Sequence, residues 1–276
     1  MPSRAVVVKP RESLYVSEPE PWMFGNDRNP PQGTAGWTNS NWLKSRFHFS
    51  FAEYYDGPSQ FGVLRVMNDD LVQPARGFGT HPHRDMEIIT FVVEGSLTHQ
   101  DSMGTRETLG RGSVQFMTAG TGVRHSEHNL DPAAPLRFIQ TWILPRRRGL
   151  RPNYGSMCGD AEAALARKDK WAHLVADAES PDPDTKNAAI LIQQDCNVYV
   201  TELSAGKTSP PREVNSGRQA YVLCVEGEVQ QSGTGEVIRQ HDAAEVTGAS
   251  TMSLELTAGP KGALVLVFEM ARGGRF

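Results

Sequence analysis

Two histidine-bearing clusters separated by an alternating apolar run constrain this chain more than any other stretch. The first is Gly77-Phe-Gly-Thr-His81-Pro-His83-Arg-Asp-Met-Glu87 and the second is Arg124-His125-Ser-Glu127-His128-Asn129. Between them lie Ile88-Ile-Thr-Phe-Val-Val-Glu-Gly95 and Gly/Ser/Thr punctuation, which places each cluster on or beside its own β-strand. Residues two apart share a strand face, so His81 is expected beside His83 and His125 beside Glu127. Two such pairs on facing strands would bring three imidazoles and one carboxylate to one point, the donor set of a metal site.

The donors restrict the ion. Three neutral nitrogens and one anionic oxygen suit first-row divalent metals such as Fe(II), Mn(II), Ni(II), Cu(II) or Zn(II). Structural zinc favours thiolate-rich closed sites, and this set has no thiolate. Iron and manganese commonly take more ligands than four, which leaves positions for water, substrate or dioxygen. Glu87 has the same strand parity as His83 and rivals Glu127 as the oxygen donor. At the rise of an extended strand it lies about 13 Å from His83, whereas Glu127 lies only about 7 Å from His125. Without a bulge the spacing favours Glu127.

The chain has 276 residues, enough for two compact domains with separate cores. Its net charge of -4 gives no general attraction to polyanions, which argues against sequence-independent nucleic-acid binding. Cys158, Cys196 and Cys224 fit no zinc or redox spacing. No secretory apolar run stands near the N-terminus, and nothing approaches the roughly 20 apolar residues of a spanning helix. A cytoplasmic protein with reduced thiols is expected, without membrane contact; in a eukaryote the nucleus is the alternative.

Strand patterns recur at short intervals. Residues 5–8 predict an added strand, and the Pro/Gly/Asn-rich stretch 19–36 a surface loop. Phe47, Phe49 and Phe51 alternate with His48, Ser50 and Ala52 on a half-buried strand, where His48 is a packing residue rather than a ligand. Further strands are expected at 62–67, 86–93, 96–99, 112–117 and 136–144, with Asn68-Asp-Asp70 as the turn after the first. Such spacing describes a barrel or a sandwich. Residues 146–159, opening with three arginines, read as a connection, 161–171 as a short helix and 180–187 as a polar loop, with strands resuming at Ala188.

The second half repeats the first. Tyr221-Val-Leu-Cys-Val-Glu-Gly227 aligns with Ile89-Thr-Phe-Val-Val-Glu-Gly95, which sets Glu213 opposite His81 and Asn215 opposite His83. Residues 242–247 align with 112–117, but no histidine follows. The fold is duplicated and the metal site is not. The second copy then serves as structural support, or as a pocket that has lost its metal. His99 and His128 are expected outside the ligand set.

The blocks Phe47-His-Phe-Ser-Phe-Ala-Glu-Tyr-Tyr-Asp56, Phe61-Gly-Val-Leu-Arg-Val-Met-Asn-Asp-Asp70, Gly77 to Gly95 and Met117-Thr-Ala-Gly-Thr-Gly-Val-Arg-His-Ser-Glu127 resemble the pirins, a branch of the cupin superfamily. The resemblance is dense over residues 34–145. It departs from the general cupin pattern, since Gly77 stands four residues before His81 instead of six and four residues separate Gly120 from His125 instead of two. These departures look shared with pirins.

The resemblance implies an all-β bicupin of two β-barrel (double-stranded β-helix) domains with few short helices. Residues 1–148 would form a metal-binding barrel and 149–276 a barrel without metal ligands. The pirin ligands fall on His81, His83, His125 and Glu127, holding one divalent transition metal per chain, Fe(II) first and Mn, Ni, Cu or Zn as alternatives. Some pirins have quercetin 2,3-dioxygenase activity, which implies a flavonol-like aromatic substrate, O2, and Glu127 as the base for the substrate hydroxyl. Other pirins are thought to act as metal-binding regulators through a protein partner such as a transcription factor. An open apolar barrel mouth favours the enzyme and a plugged one the regulator. Phe47, Phe49, Met86, Phe116 and Trp142 are the candidate wall residues.

Overall fold

A computed structural model describes residues 6–26 and 42–273, apart from the side chains at 184 and 186. The expected all-β architecture is present, with strands throughout and a single short α-helix among the described residues, Ala161–Arg167. The chain divides into two compact units, residues 15–60 with 64–160, and residues 1–14 with 61–63 and 161–276. The division therefore falls after Asp160, later than the 148/149 boundary read from the sequence. The strand Asn153–Met157 causes the difference, because it pairs with Val114–Thr118 of the first unit.

In the first unit, seven strands form one sheet in the order Asn153–Met157, Val114–Thr118, Glu87–Glu94, Leu136–Ile143, Leu64–Val72, Leu43–Phe47, Tyr15–Ser17. Its central strands are buried along nearly their whole length, as expected of β-branched and aromatic runs with both faces covered. A second sheet of four strands orders Gly77–His83, Val123–His128, Ser96–Asp101 and Arg106–Gly110. Trp42, Leu97, Leu109 and Phe138 belong to a shared apolar cluster of this unit. The histidines lie on the smaller sheet.

Several local expectations change. Asn68, Asp69 and Asp70 are not a turn but the middle of the strand Leu64–Val72, and all three are buried. Tertiary pairing overrides their turn preference: Arg137 on the neighbouring strand grips Asp69 through two hydrogen bonds of 2.8 Å each. The strand after Trp42 ends at Phe47, although Phe49 is buried and His48 is fully buried as a packing residue. Of the loop expected at 19–36, residues 27–36 lie outside the described residues, and Met23–Gly25 forms a 3-10 turn.

The other unit has an eight-stranded sheet in which Arg218–Gln231 lies between Ala243–Thr247 and Leu256–Ala271. Glu87–Glu94 is flanked in the same way by Val114–Thr118 and Leu136–Ile143, so the internal repeat holds in three dimensions. Val6–Lys9 adds an antiparallel edge to Ala243–Thr247. The helix expected over 161–171 stops at Arg167, where Asp169 takes a positive φ of 53°. An unforeseen strand, Ala172–Asp177, follows it and pairs with Cys196–Leu203. No described helix is long and apolar enough to cross a membrane.

Candidate metal centre

His81 and His83 alternate on the strand Gly77–His83, and His125 lies directly opposite His81 on the neighbouring antiparallel strand. One ring nitrogen from each of the three lies within 4.8 Å of the others, so the expected imidazole cluster forms. Their ring centroids stand 4.6 to 4.7 Å apart. Between His125 and Glu127 the register slips, with Glu127 pairing Phe78. The extra residue falls near Gly79, where a Cβ would come within 2.4 Å of the Phe24 carbonyl oxygen, so a side chain has no room there.

Hydrogen bonds assign the tautomers. His81 Nδ1–H donates to the Gly79 carbonyl at 2.8 Å, which turns the Nε2 lone pair toward the cluster. His99 Nε2–H donates to Asp101 Oδ2 at 3.0 Å, leaving its Nδ1 to accept from His125 Nδ1–H at 3.4 Å. His125 therefore also presents a bare Nε2, 3.1 Å from that of His81. His83 Nε2 is buried with no hydrogen-bond partner. Two lone pairs face each other beside a third ring whose Nε2 has no partner, and that arrangement suits a divalent cation.

The electrostatics agree. Burial, helped by His125 and His81, lowers the His83 pKa to about 3, and burial with His81 and His99 lowers that of His125 to about 2. Both rings are neutral at physiological pH, the form that ligates metal. Burial alone would favour the protonated form of Asp101. His99 and the N–H groups of Thr105 and Met103 outweigh it and hold the carboxyl below its ordinary range.

Glu127 is buried beside this cluster rather than inside it, and one of its oxygens groups with nitrogens of His125 and His99. Gln115 Nε2 donates to its Oε1 at 2.8 Å and Gln140 Nε2 to its Oε2 at 2.7 Å. The Gln140 carbonyl accepts in turn from Trp142 Nε1–H at 3.2 Å. The rival Glu87 is also buried, takes a 2.8 Å hydrogen bond from Thr118 and joins neither cluster. His128 joins neither as well.

His99, Asp101, Gln115 and Gln140 are the site residues that spacing did not reveal. His99 is only 1% exposed, and its sole sequence signal is the i, i+2 parity with Asp101 at a strand end. Aromatic rings border the imidazoles: Trp142 at 4.8 Å from His83, Phe24 at 5.6 Å and Phe78 at 6.4 Å from His81. Of the expected wall residues, Trp142 is in place, with Met86 packed against the same small apolar cluster, whereas Phe47, Phe49 and Phe116 are buried core.

Two β-sheet units, with converging histidines found in one of them among the described residues, define a double-domain cupin with a candidate divalent-metal site. Residues 31–143 match the family profile described as Pirin, and residues 180–270 match that described as Quercetinase C-terminal cupin domain. A "Pirin-like protein" of Caulobacter vibrioides is 38% identical over 245 residues, covering 87% of this chain and 98% of that protein. A "Quercetin 2,3-dioxygenase" of Escherichia coli K12 is 39% identical over 199 residues, covering 72% and 80%. The crystal structure of the bacterial pirin YhhW of E. coli with nickel(II) superposes with a TM-score of 0.76 at 29% identity, covering 96% of this chain and 99% of that one. The chain belongs to the pirin family.

Proposed function

We propose that this protein is a metal-dependent dioxygenase that opens a flavonol such as quercetin with O2, at a centre ligated by His81, His83, His125 and Glu127. The observation that carries the reading is the convergence of ring nitrogens of His81, His83 and His125 beside the rings of Phe24, Phe78 and Trp142. Glu127 is assigned as fourth donor over His99 on lone-pair grounds. His99 commits Nε2 to Asp101 and Nδ1 to His125, whereas Glu127 accepts from Gln115 and Thr90 on Oε1 but only from Gln140 on Oε2, which keeps a lone pair. Names borne by relatives support the substrate class.

When bound, a divalent ion supplies Lewis acidity toward a substrate hydroxyl, and Fe(II) is the proposed ion because it also suits reaction with O2. The rest falls to the chain. Glu127 takes the hydroxyl proton, and Gln115 and Gln140 keep its oxygens aimed while it does so. The three aromatic rings hold a flat substrate by stacking and keep water from it.

The test is elemental analysis of protein purified without added metal, then quercetin and O2 consumption after reconstitution with each ion. One metal per chain and turnover with at least one ion are expected. Undiminished turnover in metal-loaded His83→Ala would remove the proposal.

A further inference from the structure

The C-terminal unit repeats the strand pair that carries the histidines: Arg212–Val214 pairs with Met252–Leu254 as Gly77–His83 pairs with Val123–His128. Neither of these two strands carries a histidine, yet the space is not filled by side chains. A cavity of about 390 Å³ opens beside Glu213 and Asn215, with Tyr199, Arg212, Arg218 and Glu269 in its walls. Small-molecule sites typically measure about 300–1,000 Å³.

The two arginines differ in what they hold. Arg218 donates from both Nη atoms to Asp195, at 3.0 and 2.8 Å, and from Nε and Nη2 to Glu269. Asn197 donates to the same Glu269 at 2.9 Å and hydrogen-bonds His173 at 3.1 Å. This network is complete and makes a rigid floor. Arg212 instead lies flat on Tyr199, its guanidinium carbon 3.5 Å from the ring centroid, with His173 stacked at 4.4 Å on the ring. Its Nε is buried without a hydrogen bond, and it forms no ion pair among the described residues.

A guanidinium that is fixed in place and partly desolvated with no counter-anion costs free energy, which a bound anion recovers. Burial already lowers its pKa. The planar fork fits a carboxylate through two parallel hydrogen bonds. Asp177, Asp182 and Glu213 surround the opening, so a multiply charged anion is repelled while hydroxyl or ammonium donors are welcome. We infer that this cavity is a second ligand site, taking a small monocarboxylate that also bears hydroxyl or ammonium groups, with the carboxylate on Arg212 and the donors toward the acidic rim. The inference is independent of the metal chemistry proposed for the other unit.

Titration calorimetry on the full chain tests it, with gluconate as a hydroxy acid and L-serine as an amino acid. Sorbitol and inorganic phosphate are the controls. At least one carboxylate should bind once per chain, and the tighter of the two identifies the source. Arg212→Met should weaken it by at least about 10-fold, the scale of a charge-assisted hydrogen bond. His83→Ala should leave binding unchanged. If Arg212→Met fails to fold by circular dichroism, Arg212→Lys, which keeps the charge and loses the fork, should still weaken binding. Absence of binding by both carboxylates, phosphate binding in their place, equal affinity in the Arg212 variants, or loss of binding in His83→Ala would each overturn the assignment.

Discussion

His81 and His125 face one another through their Nε2 atoms across 3.1 Å. The carbonyl of Gly79 and the ring of His99 have claimed the Nδ1 protons on the far sides. Two lone pairs so close repel unless a cation lies between them, so the chain spends local stability to keep the site ready.

Removing a direct ligand should therefore cost more than removing a supporting group. His83→Ala is expected to lower divalent-metal affinity by more than about 100-fold, beyond the 10–100-fold that outer partners typically carry. Metal content after dialysis against a chelator of known affinity measures it. Full retention of metal would show that His83 does not ligate.

The Asp101–His99–His125 relay gives a second outcome. In Asp101→Asn the amide still fits the turn, but its NH2 can face His99 Nε2, which reverses the tautomer of His99 and with it that of His125. Metal affinity should fall by about 10–100-fold with the fold intact. Far-UV circular dichroism and metal titration of the same sample separate the two effects. An unchanged affinity would mean that the relay does not set the ligand.

Asp70 predicts a pH dependence of stability. Burial, with Asp69 and Glu127 nearby, raises its pKa from 3.8 to about 8. The folded state then holds a proton that the unfolded state has released, so the contribution is full below the unfolded value and is lost as pH rises toward about 8. Asp70→Asn mimics the neutral acid. Relative to wild type it should stabilise the protein by more than about 1 kcal/mol at pH 8 and by little at pH 4. Denaturant midpoints across that interval decide it, and parallel pH profiles for the two proteins would contradict the shift.

The Arg137–Asp69 pair is almost wholly buried, with side chains 9% and 1% exposed. Arg137→Met leaves a carboxylate without its cation and should cost about 3–5 kcal/mol in urea unfolding, most of it recovered when Asp69→Leu is added. An Arg137→Met protein as stable as wild type would show that the ion pair contributes little.

The histidine pairs, their strand parity and the duplicated frame could all be read from residue order. Each depends on the period-two alternation of a strand, which neighbours along the chain specify by themselves. The same logic failed at Asp69 and Asp70, which have turn chemistry yet sit mid-strand because Arg137 meets Asp69 across the sheet. Tertiary structure alone decided that His99, 26 residues from His125, backs that imidazole, and that Gln115 and Gln140 hold Glu127. It also decided that Arg212 stacks on Tyr199 in a cavity, with no ion pair among the described residues, while Arg218, six residues on, binds two carboxylates. Periodicity states which way a side chain points. Which partner it meets depends on the pairing and register of strands distant in sequence, and these are fixed only when both sheets close over a common core.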